Sequence, residues 1–149
     1  VSAMHPGIKL QTNNYMFRQT GCSDVDRVLA ATRDILFQWR SGCIADPILA
    51  EQMHTACEVS LKTALGTPNS EGAFAAHVSE AASRGIIDSH QRDALLELKN
   101  ARRNIKHRGQ GIKPGRLLKL VQVSVGALHA LASACSIRSG CELKKSLGS

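Results

Sequence analysis

The chain has few aromatic residues: three Phe, one Tyr and one Trp among 149. Single strands bound by stacking normally need several exposed rings, so that mode of nucleic-acid recognition is disfavoured. The five cysteines, at 22, 43, 57, 135 and 141, are odd in number and include no CxxC. That argues against a fully paired disulfide framework and gives no zinc-ligand spacing, so reduced thiols are expected. No useful length alternates with period two, so strands are not expected. Residues 1–22 lack an apolar signal core, so no secretory signal is expected and a cytoplasmic protein is. The most apolar run, 117–134, carries Lys119, Gln122, Ser124 and His129, which argues against a membrane span. Gly109-Gln-Gly111 lacks the strand context of a phosphate-binding glycine loop.

Acids are missing from one long stretch: none stands between Leu98 and Cys141. Residues 1–97 hold eight Lys/Arg against eleven Asp/Glu, a net of −3, whereas residues 98–149 hold eleven against one, a net of +10. So uneven a distribution points to an anionic partner, most often nucleic acid. A length of 149 residues fits one domain with a core of its own. The expected organisation is an N-terminal extension over 1–22, poorly ordered, one helical domain over 23–140, and a tail over 141–149.

What the chain has is helical periodicity. A first helix opens at Ser23 as N-cap, with Asp24 and Asp26 in its first turn, and stops near Ser41-Gly42. A second opens at Asp46-Pro47, carries the stripe Leu49, Met53, Ala56, Cys57 and Leu61, and ends at Gly66. A short helix opens at Ser70-Glu71, places Phe74, Val78 and Ala81 inward and closes at Gly85. A longer one is capped by Asp88 or Ser89, buries Ala94, Leu95, Leu98, Ala101 and Ile105, and ends at Gly109. The last starts at Pro114, runs toward Ser139-Gly140, and is apolar nearly all round, as a central or interfacial helix is. The class is all-α: an up-and-down bundle of four main helices plus one short helix.

Most histidines have a plain reading. His54 shares a helix face with Cys57, and a surface His beside a buried thiol is expected, because two ligands do not make a zinc site. His77 and His90 are expected at the surface, His129 packed or interfacial on the last helix, and Trp39 in the core. Asp24, Asp26 and Asp34 read as caps and a helix face rather than a metal cluster.

The exception is 101-ARRNIKHRGQG-111, with four Lys/Arg, one Asn and one His in its first eight positions. With about 100° per residue and Ile105 at zero, Ala94, Leu98 and Ala101 fall within about 40° of the core side. Arg103 and His107 fall opposite, one turn apart, and Arg102 lies on the flank at about 60°. Arg92, Lys99 and Lys106 point the same general way as Arg103. Arg forks suit phosphate oxygens, and His can take and give a proton. These are parts for metal-independent RNA cleavage, in which a ribose 2′-hydroxyl attacks the adjacent phosphate. A solvated basic helix end, favoured by the helix dipole, is the plainer alternative. Lys113 and Arg116 flank Pro114 at a helix start, where phosphate binding is physically natural.

The segment "LLELKNARRNIKHRG", preceded by "HVSEAASRGIIDSHQRDALLEL" and followed by an Ala-rich apolar helix, resembles the HEPN superfamily over roughly residues 23–139. That superfamily consists of small helical bundles in toxin–antitoxin, abortive-infection and CRISPR-associated RNases. Its motif is Arg, four to six residues, then His, often R-N-x-x-x-H, at the end of the third long helix. Arg102 to His107 gives R-x4-H. The family's polar residue directly follows the motif Arg, whereas here Arg103 stands there and Asn104 comes one later, so Arg103 with a shortened spacing is the other register. The resemblance implies an endoribonuclease, a toxin or phage-defence component, with Arg102, Arg103, Asn104 and His107 as catalytic candidates. Lys99, Lys106, Arg108, Lys113 and Arg116 would hold RNA, with no metal and no cofactor. It further implies a homodimer whose motifs face each other across a cleft, and an antitoxin protein as a further partner. Some members are inactive and serve as partners of nucleotidyltransferase antitoxins or as nucleic-acid binders; this chain carries no nucleotidyltransferase motif.

Overall fold

The computed structural model describes residues 15–67, 71–109 and 111–148, without the side chains of Arg108, Pro114 and 141–148. These residues form five helices and no strand: α1 (Ser23–Arg40), α2 (Asp46–Ala64), α3 (Phe74–Ser83), α4 (Ser89–Arg108) and α5 (Pro114–Gly148). The all-α class is therefore observed.

Helix α2 is the hub, packing against α1, α3, α4 and α5, while α4 also packs on α3 and α5. One core joins them. It includes Leu29, Leu36 and Trp39 of α1, Leu49, Met53 and Leu61 of α2, Leu95 and Leu98 of α4, and Leu117, Leu128 and Leu131 of α5. The i, i+3, i+4 stripes of the sequence are the faces buried here.

Asp88 caps α4 with a full capping box: its carboxylate accepts from the Gln91 backbone N–H at 2.7 Å, and the Gln91 side-chain oxygen accepts from the Asp88 N–H at 3.0 Å. Replacing Asp88 with alanine is expected to cost about 1 kcal/mol, read as a lowered Tm, because the Gln91 N–H loses its capping acceptor. At the other end Gly109 takes a left-handed conformation, φ 62°, and its N–H bonds the Ile105 carbonyl. Gly42, φ 77°, turns the chain after α1 in the same way, with the Cys43 N–H donating to the Gln38 carbonyl.

Several expectations are corrected. Cys22, not Ser23, is the N-cap of α1, and α2 starts from Ala45 with Asp46 already helical. Asp46 is drawn off to accept a hydrogen bond from Trp39 Nε1 at 2.8 Å. The short helix begins at Phe74, after Ala73, rather than at Ser70-Glu71. The extension is ordered over its last part: Tyr15 is fully buried and meets Phe37 edge-on, Phe17 packs on His129, and Thr20 donates to the Asp26 carboxylate from its backbone N–H and its hydroxyl. Its residues 1–14 lie outside the described residues. Helix α5 does not stop at Ser139-Gly140; its backbone stays helical to Gly148, so the expected tail is mostly helix. At about 1.5 Å per residue α5 is about 52 Å long.

By length and composition alone, Gly115–Gly140 could cross a membrane, but half of its most apolar window is buried inside the bundle. Its buried apolar residues thus already have partners, on α2 and α4.

Candidate nucleic-acid interface

Helix α4 delivers the basic stretch to the surface. Leu95 and Leu98 are buried, and Ala94, Ala101 and Ile105 are half-buried. With that stripe fixed inward, the next positions fan out in order: Arg102 at about 60°, Lys106 at 100°, Lys99 at 120°, Arg103 at 160° and His107 at about 200°. Arg103, Lys106 and His107 are exposed. Asn104 is half-buried and lies about 60° beyond His107, on the far flank from Arg102.

The two neighbouring arginines have different surroundings. Arg102 reaches across to α2 and grips Glu51 with two parallel bonds, Nε to Oε2 at 2.6 Å and Nη2 to Oε1 at 3.0 Å. This fork-on-carboxylate geometry holds the Glu51 carboxyl below its usual range. Both groups remain partly exposed, so the pair contributes at most about 1 kcal/mol to stability. Arg103, one residue on, has no ion pair among the described residues, and neither have Lys99, Lys106 and Lys113. Arg116, at the start of α5, is paired to Glu97 of α4. Lys113 stands just before α5, its carbonyl accepting the first helical N–H bonds from Arg116 and Leu117. The side chain of Arg108 lies outside the described residues.

Beneath the Arg102–Glu51 pair lies His54. It is buried and stacks on Phe74 of α3, ring centroids 4.4 Å apart, contrary to the surface position expected of it. His77 is likewise buried, whereas His90 is exposed as expected. Burial lowers the His54 pKa, helped by Arg102 and Lys99 on α4 and opposed by Glu58 and Glu51 on its own helix. The folded protein therefore binds this proton less readily than the unfolded chain. Stability is fully present above the usual His value of 6.5 and is lost as pH falls below it. Glu51, with a lowered pKa of its own, adds a loss of the same sign at lower pH, below its usual 4.5. His54→Phe is expected to flatten the stability curve between pH 7 and 5, while Glu51→Gln flattens only its acid end; urea titrations across pH separate the two.

Two grooves flank the ridge. One, about 450 Å³, lies between α4 and α5 and has mixed charge, with Asp93, Glu97, Arg116 and Lys119 on its walls. The other, about 260 Å³, lies between α2 and α4 and is lined by Pro47, Ala50, Glu51, Arg102, Ile105 and Lys106. No group of three or more metal-ligating side chains occurs among the described residues.

Of the residues nominated from sequence, the fold brings Lys99, Arg102, Arg103, Lys106 and His107 onto one fan. It diverts Arg102 and Arg116 into ion pairs and leaves Asn104 to one side. Glu51 was missed, because nothing local marks it: its partner Arg102 is 51 residues away in sequence. His54 was expected at the surface, and its stacking on Phe74 joins two helices. In comparison with known proteins, the chain matches no family model, no curated protein and no solved structure.

Proposed function

We propose that this chain is a cytoplasmic RNA-acting protein, a metal-independent endoribonuclease of HEPN type that works as a homodimer. The observation that carries the reading is the exposed Arg103, one helical turn from His107, which like the Lys side chains around it has no ion pair among the described residues. Arg103 is favoured over Arg102 as the phosphate-binding arginine, because Arg102 is already committed to Glu51.

The chemistry asks little more. His107 takes the proton of a ribose 2′-hydroxyl, whose oxygen bonds to the adjacent phosphorus. Arg103 stabilises the charge that gathers on the phosphoryl oxygens. The bond from phosphorus to the 5′-oxygen breaks, leaving a 2′,3′-cyclic phosphate, and the leaving oxygen takes a proton from a second imidazolium or from water. A second copy placed against the ridge would supply that imidazolium and exclude solvent. A toxin or phage-defence role, with an antitoxin as partner, follows from the same resemblance.

One observation favours a second reading, a non-catalytic helical dimer that binds nucleic acid or a protein. His107 stands exposed on the single chain, where bulk water competes with every catalytic contact. The test is incubation of the protein with mixed RNA in EDTA beside His107→Ala. Cleavage with cyclic-phosphate ends that the variant lacks supports the enzyme. Salt-dependent binding without cleavage favours the binder.

A further inference from the structure

Three cations line the α2 side of the ridge at i, i+3 and i+7: Lys99, Arg102 and Lys106. They fall within about 60° of one another around α4, as one row. The basic stretch has no acid of its own, so the carboxylate that meets this row comes from another helix. Glu51 of α2 sits against it, held by Arg102 through one bond to each oxygen, 2.6 and 3.0 Å. Lys106 lines the same groove, and its charge helps Arg102 to hold the Glu51 carboxyl below its usual range. A planar anion between an Arg fork and a Lys ammonium stands where a phosphate could stand, because the fork fits carboxylate and phosphate oxygens alike. The pair is also open to solvent: the side chains are 31% exposed at Arg102 and 51% at Glu51. An exposed pair of this kind is weak and can exchange partners.

We infer that Arg102 and Lys106 form a second phosphate subsite on the ridge, and that Glu51 fills it in the free protein as an internal competitor. The inference rests on the reading of the ridge as an RNA surface. A backbone phosphate that reaches Arg102 displaces the Glu51 carboxylate, which turns out to water from a side chain already half exposed. The exchange trades one charge-assisted pair for another. What remains is the cost of opening the first pair, so Glu51 lowers RNA affinity without barring RNA. Arg103 and His107, on the outer row, are untouched by it.

The experiment uses the intact chain and a 2′-O-methyl uridine decanucleotide, which offers no 2′-hydroxyl for cleavage. Dissociation constants are measured across salt concentrations for the parent, Glu51→Gln, Arg102→Ala, the double variant and Glu58→Gln. Glu51→Gln is expected to tighten binding about fivefold, as the release of an exposed ion pair allows. It is also expected to steepen the salt slope by about 0.7, the mark of one further phosphate contact on a single strand. In the Arg102→Ala background the same substitution is expected to gain less than about twofold and to leave the slope unchanged, because the two residues act as one unit. Glu58→Gln is the control for charge alone. Glu58 also acts on Arg102 from α2 but is paired to Lys62, so its loss frees no arginine. Parental affinity in Glu51→Gln overturns the subsite and leaves the ridge standing. An equal gain in Glu58→Gln, or in the Arg102→Ala background, does the same. No binding of the decanucleotide by the parent or by Glu51→Gln overturns the ridge and the subsite together.

Discussion

Replacing His107 with alanine is expected to lower RNA cleavage by about 10²–10⁴-fold, with RNA affinity unchanged within about twofold, because an acid–base group acts mainly in the transition state. The fold should not notice the change. His107 is exposed, and a surface substitution of this kind stays within about 0.5 kcal/mol. Arg103→Ala behaves differently: a cation lost from the phosphate path lowers affinity as well as rate, and it reduces the salt slope of binding by about 0.7 for a single strand. Arg102→Ala should have the smaller effect on rate, since its guanidinium is already paired to Glu51. Single-turnover cleavage assays in EDTA, with separate filter-binding at several salt concentrations, read the two effects apart. Cleavage by the His107 variant at the parental rate would sink the catalytic role. A larger loss in Arg102→Ala than in Arg103→Ala would return the motif to the R-x4-H register.

The helices were legible because each buries a periodic stripe and ends at Gly or Pro. The α4 stripe through Leu95, Leu98 and Ile105 set the direction of every charge on that helix before any coordinates. The helix starts were less legible. Ser23 and Ser70 look like caps, yet Asp26 grips Thr20 and Gly21 ahead of α1, and α3 begins four residues after Ser70. Local chemistry nominates a cap; which donor it finds depends on how the preceding chain is laid down. Tyr15 was illegible because it sits in a polar stretch with no period, and only the packed bundle gives it a slot beside Phe37. His54 illustrates the same limit. Its position next to Met53 is on the margin of the α2 stripe, and it is the arrival of Phe74 from α3 that buries it. Gly140 read as a stop, but the residues after it are good helix formers and α5 runs on. The site shares this division. The fan of cations follows from one helix and is readable; the Glu51 contact that separates Arg102 from Arg103 joins two helices and is not.

Trp39→Ala is expected to destabilise the fold by about 4–5 kcal/mol, the largest loss at any single position considered, since truncating a buried Trp costs about 3–5 kcal/mol. Trp39 is 1% exposed in the last turn of α1. Its ring fills the junction between α1 and the hub helix, and its Nε1 donates to Asp46 at the first turn of α2. Losing the ring opens a cavity that the two helices cannot close independently, because the five-residue link from Ser41 to Ala45 holds their ends together. The hydrogen bond adds a smaller share, about 1 kcal/mol or somewhat more because its acceptor is charged; Asp46 is only half-buried and can be resolvated. Against a total of about 5–15 kcal/mol, this loss leaves a marginal domain. Trp39→Phe separates the two parts, keeping most of the buried area and losing the bond, with an expected cost of about 1–2 kcal/mol. The chain has no other Trp, so urea unfolding must be followed by circular dichroism rather than fluorescence. A loss below about 1.5 kcal/mol in Trp39→Ala would mean that the α1–α2 junction repacks freely, which a close-packed interior does not do.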